Sequence, residues 1–92
     1  MLYIREVIVS PEQEEHVWSK HRVTPEEVEQ VCFSEHVALR GRDRSYAIYG
    51  RTDAGRYLVA ILYPRGRRTY SLATAREMTH VERRRFHELS SS

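Results

Sequence analysis

The chain has 92 residues, 40% of them apolar, and a formal net charge of +2. That supplies one core and not two, and no stretch approaches the ~20 apolar residues of a membrane span. The single cysteine, Cys32, excludes an internal disulfide, and Arg5 and Glu6 interrupt the apolar start Leu2-Tyr3-Ile4, so no secretory signal is visible.

Leu2 to Val9 alternates and is rich in branched and aromatic residues, the pattern of a first strand. Ser10-Pro11-Glu12-Gln13 is a helix start, with a capping box and proline at the first helical position. The first helix runs to about His21, with Val17, Trp18 and His21 on one face. Thr24-Pro25-Glu26-Glu27 repeats the start signal, and Val28, Val31 and Cys32 form the core stripe of a second helix. Cys32 on that stripe reads as a buried structural thiol. Val37 to Gly41 is a short strand. Tyr46 to Thr52 and Arg56 to Pro64 make a hairpin around Asp53-Ala54-Gly55, where Gly55 supplies a positive φ. Leu58 to Tyr63 is apolar at every position, which puts that strand near the sheet centre. Arg68 to Ala75 is the last strand. Thr79-His80-Val81-Glu82 opens a final helix to about Leu89, and 89–92 reads as a loose tail. The expectation is one small α+β domain over 1–92, β-α-α-β-β-β-β-α, with a meandering antiparallel sheet and segregated helices. Cytoplasmic location is the default.

The modest net charge hides an asymmetry. Residues 1–35 carry three bases and eight acids, a net of −5; residues 36–92 carry twelve bases and five acids, a net of +7. All twelve bases of the second part are arginine. Guanidinium forks grip phosphate bidentately and stack on bases, so nucleic acid is the leading partner. Arg40, Arg44 and Arg56 are expected within reach of one another on the sheet. Arg65, Arg67 and Arg68 flank a turn, and Tyr46, Tyr49, Tyr57, Tyr63 and Tyr70 are interleaved with them, as an RNA-binding face requires.

Lys20 and His21 sit at the end of the first helix, where they either transfer protons or simply suit a helix C-terminus. Arg76 lies just ahead of the last helix, aimed at an anion or paired with Glu77, Glu82 or a glutamate of the first helix. His16 and His21 are five residues apart and do not share a helix face well. His80 and His87 do share one, without a third ligand, so neither a metal nor a cofactor is expected. No glycine-rich phosphate loop and no nucleophile elbow occurs.

Several segments together resemble the BrnT family of toxins from bacterial toxin–antitoxin pairs. They are Lys20-His21 with Val23, Glu26-Glu27, Gly50-Arg51-Thr52 with Gly55-Arg56, Thr74-Ala75-Arg76, and Glu82-Arg83-Arg84 with Phe86. Four positions depart from the pattern: Val9-Ser10 replaces an aromatic–aspartate pair, Val17 an asparagine, and Arg22 a glycine. The resemblance implies a RelE-like α+β fold and metal-independent endoribonuclease activity. It also implies a cognate ribbon-helix-helix antitoxin, with DNA reached only through the complex with that antitoxin.

On this reading the catalytic set is Lys20, His21, Arg51 and Arg76, and RNA is held by Arg40, Arg44, Arg56, Arg65, Arg67 and Arg68. The alternatives are a non-catalytic RNA- or DNA-binding module and a protein-interaction module.

Overall fold

The computed structural model of the chain describes residues 1–90. In chain order it has β1 (Glu6–Ile8), α1 (Pro11–His21), α2 (Pro25–Phe33), β2 (Val37–Arg40), a 3-10 turn at Arg42–Arg44, β3 (Tyr46–Arg51), β4 (Tyr57–Gly66), β5 (Thr69–Glu77) and α3 (His80–Ser90). The strands form one five-stranded sheet in the order β1-β5-β4-β3-β2. β4 is central, as its unbroken apolar run requires. Among the described residues no helix is long and apolar enough to cross a membrane.

Most local signals act as the sequence suggests. The Ser10 hydroxyl accepts from Gln13 N–H at 3.2 Å, which is one half of the capping box expected there. Thr24 and Glu27 form a full reciprocal capping box, as do Thr79 and Glu82. Gly55 closes the β3–β4 turn with φ +91°. On one face of the sheet Ile48, Leu58, Ala60, Leu62, Leu72 and Ala75 pack with Val17, Val23, Val28, Val31 and Cys32 from α1 and α2. α3 lies across the other face, where Phe86 is buried and meets Tyr57 edge-on at 6.0 Å. Burial, with the nearby charge of Glu29 adding to it, pushes the Cys32 thiol up to about 12.

Three expectations change. The meander of β2 to β5 is antiparallel, but β1 joins the edge of β5 in parallel, with Val7 opposite Tyr70, so the sheet is mixed. β1 is also shorter than the expected Leu2–Val9. Ile4 is buried in the core, and Leu2 N–H donates to His36 Nε2 at 3.1 Å. That bond requires the proton on Nδ1, which donates to the Ser34 carbonyl at 2.8 Å. Burial holds His36 below the ordinary imidazole pKa, so the ring stays neutral and ties down the N-terminal segment. Finally, Leu89 and Ser90 belong to α3, and the rest of the expected tail, 91–92, lies outside the described residues.

Five non-glycine residues have left-handed backbone: Arg22 (φ 54°), Asp43 (54°), Arg44 (67°), Arg67 (44°) and Arg68 (65°). Arg67 and Arg68 are the two central residues of the β4–β5 hairpin, where Gly66 pairs with Thr69. Positive φ at both makes a type I′ turn, a place that favours Asn-Gly. A side chain there costs about 1–2 kcal/mol per residue relative to glycine.

Candidate active-site groove

α1 packs along β5 and brings its C-terminus beside the end of that strand. An open groove results, lined by Lys20, His21, Arg22, Arg56, Arg76 and Glu77. Residues more than fifty positions apart in sequence meet there. The first helix contributes Lys20 and His21, and the end of β5 contributes Arg76 and Glu77.

Each member is held by a different device. α1 ends at Arg22, which takes the left-handed conformation while Arg22 N–H and Val23 N–H bond back to the carbonyls of Trp18 and Val17. Val17 is buried and Trp18 is turned out under the Arg22 guanidinium, 5.1 Å from its centre. The expected common face of Val17 and Trp18 is therefore split between core and surface. His21 is half-buried and meets His16 edge-on at 5.9 Å, and His16 Nε2 lies 3.2 Å from the Thr74 hydroxyl. Helical spacing alone did not bring the two imidazoles together. His21 is the last residue of α1, and the His16 ring beside it is also held by Thr74 of β5.

Arg76 stands opposite Val59 in the β4–β5 register. Its two terminal nitrogens donate to the two Glu82 oxygens at 2.8 and 3.0 Å, a bidentate pair, and Nη1 also reaches the Glu77 carbonyl at 3.1 Å. The Arg76 guanidinium holds the Glu82 carboxyl down at about 2, with help from the Thr79 cap. Of the pairings expected from sequence, Glu82 is the one formed, and it orients Arg76 while leaving the side chain 38% exposed.

Arg56 departs most from expectation. Nε donates to Glu77 at 3.0 Å, and Nη1 to Glu27 at 3.0 and 3.1 Å and to the Arg22 carbonyl at 2.6 Å. Nη2 donates to the His21 carbonyl at 2.9 Å. One guanidinium thus ties the end of α1, the cap of α2 and the end of β5 together. Its donors are committed to protein acceptors rather than presented to RNA. Nor is it near Arg40 and Arg44, which flank the β2–β3 loop at the opposite end of the sheet. β3 separates the two ends, and its six residues span roughly 20 Å.

Arg51 also stands outside the groove. Its guanidinium lies 4.9 Å from the Tyr57 ring centre, with Arg83 at 4.0 Å from the same ring, and it lines a separate cleft with Ser34, Glu35, Phe86 and His87. Arg65, Arg67 and Arg68 are exposed at the β4–β5 turn, at the same end as Arg40 and Arg44. Among the described residues no three His, Cys, Asp or Glu side chains converge as metal ligands. Sequence reading missed His16 and Thr74 as neighbours of the site, and Glu77, expected beside Arg76, pairs with Arg56 instead. The one available signal for Thr74 was that it lies two residues before Arg76.

Neither a protein-family model nor a curated protein matches the sequence. A solved structure matches the fold. It is the 1.1 Å crystal structure of the Brucella abortus ribonuclease toxin BrnT, aligned over 82% of this chain and 97% of that one with a TM-score of 0.69. The chain has a BrnT-like fold. Identity to BrnT is 13%, so the likeness is one of architecture, and it bears out the expected α+β domain and its order of strands and helices.

Proposed function

We propose that this chain is an endoribonuclease toxin that cleaves RNA without a metal, in the cytoplasm, and is neutralised by a ribbon-helix-helix antitoxin that alone brings it to DNA. The observation that carries this reading is the groove in which Lys20, His21 and Arg76 come together on a BrnT-like fold. BrnT itself is a ribonuclease toxin.

The chemistry runs within the RNA. The 2′-oxygen attacks the adjacent phosphorus, its proton passes to a base, the P–O5′ bond breaks, and the 5′-oxygen takes a proton from an acid. The products are a 2′,3′-cyclic phosphate and a 5′-hydroxyl. Histidine is suited to both proton steps because its ordinary pKa lies near neutrality. His21 fills one role and Lys20 is the neighbouring proton carrier. Arg76 stabilises charge on the phosphate, and Glu82 fixes where its guanidinium points. Arg51, on the Tyr57 ring outside the groove, is given a part in binding rather than in charge stabilisation. Arg56 builds the groove.

The test is cleavage of a defined RNA in EDTA by the parent and by Arg76→Ala. Loss of one charge-stabilising donor lowers the rate by about 10²-fold or more, and the parent's products carry 2′,3′-cyclic phosphate ends. Equal rates with normal folding remove Arg76 from the reaction. No cleavage by the parent, on free RNA or with ribosomes present, removes the nuclease reading itself.

A further inference from the structure

The end of the sheet remote from the groove carries a second concentration of charge. Arg40, Arg42 and Arg44 line the β2–β3 loop, and Arg65, Arg67 and Arg68 the β4–β5 turn. All six are exposed, and none forms an ion pair with an acid among the described residues. Three of them, Arg44, Arg67 and Arg68, occupy left-handed backbone that glycine or asparagine would take with less strain. Disfavoured residues kept at a surface turn, with no acid paired to them among the described residues, point to a use outside the molecule. Aromatic rings stand among them. Arg68 lies 4.4 Å from the ring centre of Tyr3, which is 66% exposed, and Arg40 lies 5.5 Å from that of Tyr46.

We infer that this end is a separate grip for single-stranded RNA, holding phosphates on the arginine forks and a base on Tyr3, and that it binds the strand whose cleavage takes place in the groove. The inference rests on RNA being the ligand of the proposed function. All six cations are arginine, whose fork matches phosphate bidentately, and an exposed aromatic beside them suits base stacking. From Val59, opposite Arg76, to the turn after Gly66 is seven residues of strand, roughly 23 Å. A strand engaged at both places is therefore several nucleotides long, and the ligand is an RNA strand rather than a dinucleotide.

The experiment replaces the strained pair with the residues that the turn itself prefers. Arg67→Asn with Arg68→Gly is compared with the parent for binding to a ~16-nucleotide RNA, a length in the range of one single-strand site. The RNA carries 2′-O-methyl groups, so it has no attacking hydroxyl and binding is read apart from cleavage. Affinity falls by about tenfold or more, and the slope of log affinity against log salt becomes shallower by about 1.4, the share of two phosphate contacts. Tm rises at the same time, by about 4 °C or more. A second variant, Arg40→Gln with Arg65→Gln, leaves the left-handed positions alone and weakens binding in the same direction.

Unchanged affinity and slope in both variants overturn the inference. Unchanged RNA affinity with lost binding to polyglutamate also overturns it, in favour of an acidic protein partner. Weakened RNA binding by a protein whose parent cuts no RNA upholds the grip while the nuclease reading fails.

Discussion

The two ends of the sheet use the same residue in opposite ways. At the groove, Arg56 and Arg76 are fixed by carboxylates and carbonyls on several elements. At the far end, six exposed arginines form no ion pair among the described residues, and three of them stand on strained backbone. A guanidinium locked by neighbours is preorganised and costs little to reuse at each turnover, which suits a place where charge develops in a transition state. A solvated guanidinium keeps its affinity for whatever phosphate arrives and suits binding. The asymmetry read along the sequence, −5 against +7, is internal in one place, because among the described residues Glu27 of the first part pairs with Arg56 of the second beside the groove.

The largest effect expected from breaking this contrast is at Arg56. Arg56→Ala strands the half-buried Glu27 carboxylate and two carbonyls at the end of α1, and costs about 2 kcal/mol of stability, the usual worth of hydrogen bonds to a charged partner. Arg56→Lys recovers little, because an ammonium cannot serve three elements at once. Arg65→Ala at the far end leaves stability within about 0.5 kcal/mol. Urea unfolding of the three variants checks this. Equal losses at Arg56 and Arg65 sink the distinction between clamped and free arginines.

A smaller effect is expected at Glu82. Glu82→Gln keeps a side chain able to complete the Thr79 box and removes only the charge facing Arg76. The exposed pair is then worth a few tenths of a kcal/mol to about 1. The folded carboxyl sits at about 2, below its ordinary 4.5. Its contribution is therefore fully present above about 4.5 and is lost as pH falls through 2. The stability gap between parent and variant closes over that window, and a gap that instead closed near neutrality would belong to another group. With its negative partner gone, Arg76 also binds RNA more tightly, and a lower KM for RNA reports it.

The residues that announced themselves did so through local chemistry. Thr24 and Thr79 cap helices because the side-chain geometry is set within four residues, Gly55 turns a hairpin for the same reason, and Leu58–Tyr63 reads as central from its own composition. The parallel placement of β1 against β5 depends on an association more than sixty residues apart, which no local pattern encodes. Of the groove, Lys20, His21 and Arg76 were legible as chemistry-bearing types at element ends. The role of Arg56 was not, because its four acceptor residues lie on three other elements. Nor was the strain at Arg67-Arg68, since two arginines are the opposite of the Asn-Gly that marks such a turn.

Arg22 belongs to the groove yet shares the strained backbone of the far end, and it gives the smallest and sharpest test. It stands where the resembling pattern has glycine, and its φ of 54° is the conformation glycine would adopt freely. Arg22→Gly relieves about 1 kcal/mol of left-handed strain. It forfeits a cation–π contact with Trp18 worth about 0.5 kcal/mol at an exposed site. The hydrogen bonds of the Arg22 backbone to Trp18 and from Arg56 survive, because they use main-chain atoms. The expected outcome is a net gain of a few tenths of a kcal/mol, with weaker RNA binding because a cation lining the groove is gone. Thermal melts and RNA titrations on the same samples separate the two. A more stable protein with unchanged affinity puts Arg22 outside the RNA path. A less stable one shows that the Trp18 contact outweighs the backbone, and that strain alone does not explain why arginine stands there.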